Sequence, residues 1–369
     1  MKILHVAQKL PGGVSSYLCE LVPFQLKNLG KANVLVLGPE QEAEHVPTLP
    51  RENWRFFPDS RRTPLSLLRL MSTARRVIDA ERPDIIHLHS SFAGAIVRAG
   101  YLLWPCGYRP KIVYCSHGWA FNMAVPLAWG TCYALMERIL AARTDSIPCI
   151  SRHELKTAAL RGLPRHKLKL VYNGVTRELP VATEAAPHFD PGRLNLLFVG
   201  RQDRQKGFDL LREAMARVRD LPIHLHAVGD AVVAAAGTAT CDAPNITQHG
   251  WQPRDRVLQY LAAADALIMP SLWEGFGLVA AEAMRHSRAV LASNVDALPE
   301  LVVDGVTGHL FAPSNVESIV QLLRSLDQAE LREMGDRGRQ RFLDLFDAER
   351  MNRQIVDIYS ELLEKPGRS

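Results

Sequence analysis

Ser271-Leu272-Trp273-Glu274-Gly275-Phe276-Gly277-Leu278-Val279-Ala280-Ala281-Glu282-Ala283-Met284 follows directly on the apolar run Ala266-Leu267-Ile268-Met269 and Pro270. A buried strand, a glycine-punctuated loop and a helix starting near Gly277 therefore succeed one another, which is the repeating step of a parallel sheet covered by helices. The amides of Gly275, Phe276 and Gly277 are expected to point out of a helix N-terminus, where they can donate to hydroxyls or to an anion. Glycine there lets a ligand approach the main chain. Glu274 lies on the loop and Glu282 about two turns further on, so the two carboxylates suit different ends of an extended ligand better than acid and base duty on one ring. Taken bare, the stretch also fits a glycine-rich turn before an ordinary acidic helix.

Outward from this segment, short apolar runs alternate with longer helix-period stretches. Strands are expected at 2 to 7, 33 to 38, 84 to 89, 111 to 115, 146 to 150 and 168 to 172, then at 194 to 200, 223 to 228, 246 to 249, 265 to 269 and 288 to 292. Residues 178 to 193, rich in Pro, Ala and Gly, separate the two sets. The expected architecture is α/β, two Rossmann-like doubly wound domains facing a central cleft: residues 1–180 and residues 181–347. The amphipathic helix at about 348–364 is expected to pack back on the first domain. Ligands belong at the carboxyl ends of such strands.

With 369 residues, 47% of them hydrophobic and 22% charged, the chain can bury two cores. Its opening Met1-Lys2-Ile3-Leu4-His5-Val6-Ala7 is too short an apolar run for a signal peptide or a membrane span and reads as a first strand. Six cysteines show no metal-ligand spacing, so reduced thiols and no structural zinc are expected. The net charge of +5 is unevenly spread, with +11 on residues 1 to 180 and −6 on the remainder. Such an asymmetry points to an anionic partner of the first half, or to a basic solvated surface.

Other segments carry groups suited to phosphate and sugar. In Val199-Gly200-Arg201-Gln202-Asp203-Arg204-Gln205-Lys206-Gly207-Phe208, Arg201 and Lys206 stand on the turn after a first strand, where a guanidinium and an ammonium can neutralise a diphosphate; two solvated cations are the plain alternative. Gly12 and Gly13 open a helix after the first strand of the chain, or merely permit a tight turn. His117, in Ser116-His117-Gly118, ends a strand and suits a sugar hydroxyl, or is structural. His87 and His89 face one side of a strand and suggest a metal pair, but no third ligand is evident nearby, so they read as structural or acceptor-side residues. No D-x-D occurs to grip a divalent metal on a diphosphate, and no strand-end loop reads G-x-G-x-x-G. Nucleic acid has only bulk basicity in its favour.

The run from Glu274 to Glu282 resembles the E-x7-E signature of glycosyltransferase family 4, and the Arg201/Lys206, Gly12-Gly13 and His117 segments agree with it in order and spacing. The resemblance implies the GT-B fold. It implies that Glu274 and the backbone of Gly275, Phe276, Gly277 and Leu278 hold the donor sugar, and that Glu282 accepts from the ribose hydroxyls. Arg201 and Lys206 would stabilise the leaving diphosphate, His117 would hydrogen-bond the donor sugar and the reacting oxygens, and Gly12 and Gly13 would approach the phosphates. Arg82-Pro83-Asp84-Ile85-Ile86-His87-Leu88-His89-Ser90 with Gly94 is similar to enzymes of capsule, exopolysaccharide or O-antigen assembly. Family members have a glycine-rich loop where this chain has Asn294-Val295-Asp296-Ala297-Leu298-Pro299-Glu300, which puts sugar contacts from that loop in question.

The implied reaction is a retaining transfer of a hexosyl group from a nucleoside-diphosphate sugar to a saccharide or polyprenyl-diphosphate-linked acceptor, with no cofactor and no metal. The expected place is the cytoplasm, at the inner face of the membrane. Arg61, Arg62, Arg69, Arg75 and Arg76 would face an anionic leaflet, and the uncharged stretch Gly118 to Met136, with Trp119, Phe121 and Trp129, reads as a cleft loop and core helix of which part can dip into the interface. A nucleotide-sugar epimerase or hydrolase, and a non-catalytic nucleotide-sugar binding subunit, are the competing readings.

Overall fold

The computed structural model describes residues 1–58, 63–103, 108–123, 125–179, 187–230 and 243–364. Arg61, Arg62, Cys106, Cys241 and part of the 178–193 stretch lie outside these residues. The chain forms two compact units, one of residues 1–174 and 348–369, the other of residues 175–347.

In the first unit β1 (Ile3–Ala7), β2 (Val34–Pro39), β3 (Trp54–Phe57), β4 (Ile85–His89) and β5 (Lys111–Cys115) form a sheet ordered β3-β2-β1-β4-β5, all parallel. A bridge from Val113 to Ser146 continues it toward β6 (Ile147–Cys149) and β7 (Leu168–Leu170). β1, β2 and β4 are buried along their whole length, as strands covered by helices on both faces must be. The helix Ala348–Glu364 returns to this unit, where Met351, Ile355, Ile358 and Tyr359 pack with Ile3, Tyr17, Leu21 and Ile85.

The second unit repeats the scheme with β8 (Leu194–Val199), β9 (Ile223–Val228), β10 (Ile246–Gln248), β11 (Ala266–Met269), β12 (Ala289–Ser293) and β13 (Gly308–Phe311), in the order β10-β9-β8-β11-β12-β13. In both sheets the order reverses beside the first strand, between β1 and β4 and between β8 and β11. At such a point the loops leaving two adjacent strands diverge to opposite faces and open a crevice.

Two strands escape the sequence pattern. β3 and β13 are four-residue edge strands buried only at their ends, and neither is long enough for alternation to show. The chain also changes unit at Gly174–Val175, ahead of the Pro/Ala-rich stretch. The cause is local: the Val175 N–H donates to the Phe346 carbonyl at 2.9 Å, and the buried Arg285 donates to the carbonyls of Thr176 and Glu178 at 3.0 and 3.2 Å. These bonds tie residues 175 to 178 to the second unit.

Candidate active site

At the β8/β11 switch point the loop Gly200–Gly207 meets the loop Pro270–Gly277. The Leu272 N–H donates to the Gln205 carbonyl at 2.8 Å, stitching the loops together. Gly207 has φ 64°, and a Cβ there would sit 2.1 Å from the Pro270 carbonyl oxygen, so only glycine admits this approach. The seam brings Lys206 Nζ to 2.5 Å from Glu274 Oε2, with the two side chains 20% and 12% exposed. Arg201 stands on the same loop but is 63% exposed, its guanidinium held by Asp203 at 3.0 Å and by Gln205 at 3.0 Å.

The Glu274 N–H donates to Asp296 Oδ2 at 2.8 Å, and Asp296 itself takes the left-handed conformation at φ 48°. Aspartate thus does two things in the loop where family members have glycine. It tolerates the backbone angle, and its carboxylate anchors the Glu274 loop.

Gly277, at φ 95°, caps the helix Leu278–Arg285 with no side-chain cap, so the opening turn presents its backbone with the positive end of the helix dipole. Leu278 is half-buried at that first turn. Phe276 contributes no side chain to the loop's surface, because its ring is buried and meets Phe346 edge-on at 5.7 Å. Glu282, on the same helix, is buried, and Arg254 Nη2 lies 3.4 Å from its Oε1. Burial pushes the Glu282 carboxyl up, while Arg254 and Arg285 pull it down. Arg254 has no motif to announce it, since the contact joins residues distant in sequence. The loops after β9 and β10 are joined by the Gly229 N–H to the Gly250 carbonyl at 2.8 Å and the Trp251 N–H to Asp230 Oδ1 at 2.8 Å.

In the first unit, Gly12 (φ 94°) caps the helix Gly13–Leu29, and a Cβ at Gly12 or Gly13 would meet nothing within 4 Å. Packing within this unit therefore does not exclude a side chain at Gly13, and the open space above the turn is available to a ligand. His117 follows β5 at φ 53°, an unfavourable angle for a non-glycine residue of the kind found at functional sites. Its Nε2 lies 3.0 Å from His89 Nδ1, its Nδ1 is buried without a hydrogen-bond partner, and burial lowers its pKa to about 4.

The expectation that His87 and His89 lack a third histidine nearby needs correction. His5 on β1 pairs in register with His87, and ring nitrogens of His5, His87 and His89 come within 4.8 Å of one another. A histidine inside the apolar run Ile3–Ala7 was the sequence signal.

The stretch from Gly118 to Met136 also differs from expectation. Trp119 and Phe121 stack in the core at 5.1 Å, but the helix Leu127–Leu140 leaves Leu127 79% and Trp129 59% exposed, along with Leu135 and Ile139. The helix Pro64–Glu81 exposes Leu65, Leu68, Arg69, Arg75 and Arg76. Among the described residues no helix is long and apolar enough to cross a membrane.

Residues 11–179 match the family described as Glycosyltransferase Family 4, and residues 193–328 match Glycosyl transferases group 1. A Klebsiella pneumoniae protein, the "Uncharacterized 41.2 kDa protein in cps region", is 32% identical over 335 residues, covering 88% of this chain and 90% of that protein. The Escherichia coli UDP-Gal:alpha-D-GlcNAc-diphosphoundecaprenol alpha-1,3-galactosyltransferase is 23% identical over 312 residues, 78% of each chain. Anabaena HepE, solved in complex with UDP and glucose, superposes with a TM-score of 0.76 at 20% identity over 98% of this chain and 100% of that one. With two Rossmann-like units in the GT-B manner and the glutamate pair on the loop and helix after β11, the chain belongs to glycosyltransferase family 4 and is a GT-B glycosyltransferase of polysaccharide synthesis.

Proposed function

We propose that the enzyme transfers a hexosyl group, with retention and without a metal, from a nucleoside-diphosphate sugar to a hydroxyl of a lipid-linked saccharide. The observation that carries this reading is the convergence of Arg201, Lys206 and Glu274 on one switch point, with the N-terminus of the helix Leu278–Arg285 beside them. Arg201 and Lys206 supply two positive charges where a diphosphate departs, the task a divalent cation performs elsewhere. Glu274 and the backbone from Gly275 to Leu278 take the sugar. Glu282 takes the ribose, with Arg254 drawing its carboxyl down against the larger, raising effect of burial. His117 and the Gly12-Gly13 turn are the first unit's contribution to the donor.

No covalent nucleophile is assigned. The acceptor hydroxyl attacks the anomeric carbon on the face the diphosphate leaves, the C–O bond to the diphosphate breaks, and a diphosphate oxygen takes the hydroxyl proton. The residues act by positioning and by stabilising the leaving charge. The E. coli galactosyltransferase, whose name specifies a diphosphoundecaprenol acceptor, and HepE, solved with UDP-glucose, support the choice of donor and acceptor class.

The test has two stages. A thermal-shift screen over UDP, GDP and ADP sugars should show one class raising the melting temperature, since a ligand that binds only the folded state stabilises it by mass action. Incubation of that donor with lipid-linked saccharides should then yield a new glycoside by chromatography. Free hexose or an epimerised donor as the sole product would replace this reading with that of a hydrolase or epimerase.

A further inference from the structure

Four side chains of the first unit form one unbroken line of hydrogen bonds through the core. Gln25 Oε1 lies 2.7 Å from His5 Nε2, His5 Nδ1 lies 3.0 Å from His89 Nε2, and His89 Nδ1 lies 3.0 Å from His117 Nε2. Gln25, His5 and His89 are fully buried. The line ends at His117 Nδ1, which is buried and has no partner. We propose that this line locks His117 in the Nε2-protonated tautomer, so that its Nδ1 is a bare lone pair presented to a hydroxyl; Gln25, His5 and His89 are positioning residues for it.

The direction follows from the chemistry of the groups. A neutral imidazole has one N–H and one lone pair. The Gln25 oxygen can only accept, so His5 donates to it from Nε2. His5 Nδ1 is then the lone pair and must receive a proton from His89 Nε2, and His89 Nδ1 in turn must receive one from His117 Nε2. Burial keeps the rings neutral, as the line requires: it lowers His5 and His117 to about 4 and His89 well below its ordinary value.

With Gln25 Oε1 facing His5 the Gln25 Nε2 is buried without a partner, and turning the amide over would reverse every bond and move the unmet proton to His117 Nδ1. The direction therefore rests on Oε1 facing His5, and the tautomer of His117 reports it. Tyr17, edge-on to His117 at 4.9 Å, walls the ring on one side. His87 stands off the line, with its Nδ1 2.6 Å from the Tyr359 hydroxyl.

A lone pair at Nδ1 attracts a hydroxyl and repels a phosphate or carboxylate. His117 therefore takes an uncharged part of its ligand, a sugar hydroxyl, and not the diphosphate. That use rests on the proposed sugar transfer; the tautomer itself does not.

The full chain labelled with 15N-histidine, read at pH 7.5 by long-range 1H–15N correlation, reports each tautomer without substrate. His117, identified by the signal lost in His117→Ala, should show a protonated Nε2 and a bare Nδ1, with His5 and His89 alike. A protonated Nδ1 or an imidazolium at His117 overturns the proposal. So does about one equivalent of tightly bound metal in the purified protein that disappears in His87→Gln, because ring nitrogens coordinating a metal cannot form this line. Gln25→Leu should give mixed tautomers at His117 and lower kcat about five- to tenfold with little change in donor KM; a single unchanged tautomer there would show that Gln25 sets nothing. Should Gln25→Leu fail to fold, the wild-type spectrum decides. A confirmed tautomer in a protein that makes no glycoside would count against the proposed function alone.

Discussion

Lys206 Nζ and Glu274 Oε2 meet at 2.5 Å across the seam between the loops that leave β8 and β11. Each charge is largely withdrawn from water, so each needs the other. Arg201, on the same loop and mostly exposed, needs no such partner to be tolerated. The two cations therefore differ in what their removal does.

Arg201→Ala should leave the melting temperature within a degree or two of wild type while turnover falls about a hundredfold, the effect of losing about 3 kcal/mol of leaving-group stabilisation. Lys206→Ala should lose comparable turnover and also some stability, because Glu274 is left partly buried without its cation. Lys206→Met combined with Glu274→Gln should restore the melting temperature but not the rate. Steady-state kinetics and thermal denaturation on the same preparations check this; wild-type turnover in both single variants removes the assignment.

Glu282→Ala should act on donor affinity instead, raising the donor KM about tenfold with kcat nearly unchanged, since contacts to the ribose are alike in ground and transition states. Arg254→Ala should shift donor KM in the same direction, because Arg254 draws the Glu282 carboxyl down against the effect of burial. A fall in kcat at constant KM in Glu282→Ala would place that carboxylate at the reacting centre.

The order of elements and the residues at the β8/β11 seam were legible in the sequence because both are written in local patterns. Apolar runs of strand length end in Gly200 and Pro270, and charged side chains stand at fixed offsets beyond them. What was not legible lies in contacts between distant segments. Arg254 reaches Glu282 and Asp296 anchors Glu274 through tertiary proximity alone, and His5 joins His87 and His89 only once β1 lies beside β4. The helix Leu127–Leu140 misled for a physical reason: an uncharged composition signals burial, but one face of this helix is apolar and exposed.

If, as proposed, Arg201 and Lys206 supply the charge that a cation would otherwise bring to the diphosphate, activity should persist in excess EDTA; the sequence offers no D-x-D. Transfer rates measured with and without chelator, after exhaustive dialysis, check this. Loss of activity that magnesium or manganese restores would contradict metal independence.

Acid should destabilise the protein well before its surface carboxylates titrate. His5 and His117 have folded pKa values lowered from 6.5 to about 4, so the unfolded chain binds protons that the folded chain refuses. The stability each contributes is complete above about pH 6.5 and is lost as pH falls toward 4, about 2 kcal/mol apiece by pH 5. Urea midpoints should drop between pH 7.5 and pH 5, and His5→Asn should shrink the drop. Equal midpoints at the two pH values would mean that these imidazoles are not buried neutral.

The last expectation concerns the membrane. Residues 1 to 180 carry a net +11, and Arg69, Arg75 and Arg76 stand exposed on the helix Pro64–Glu81 beside Leu65 and Leu68. Arg75 is only loosely engaged by Asp79 at 3.8 Å, an exposed pair worth little. The helix Leu127–Leu140 adds the outward Leu127, Trp129, Leu135 and Ile139 to the same unit. Exposed arginines with exposed aliphatic and indole side chains suit an anionic interface, where each cation contributes about 1 kcal/mol and each buried apolar side chain adds to it. Three such cations give weak, reversible docking, enough to bring the enzyme to the lipid-linked acceptor proposed for it. Co-sedimentation should therefore require anionic vesicles and weaken as salt shortens the Debye length. Replacing Arg69, Arg75 and Arg76 by Gln should remove the salt-dependent part, and Trp129→Ala should weaken binding equally at every salt concentration. Equal recovery with neutral and anionic vesicles would rule out an electrostatic contribution, and no binding to either would confine the enzyme to acceptors presented in solution.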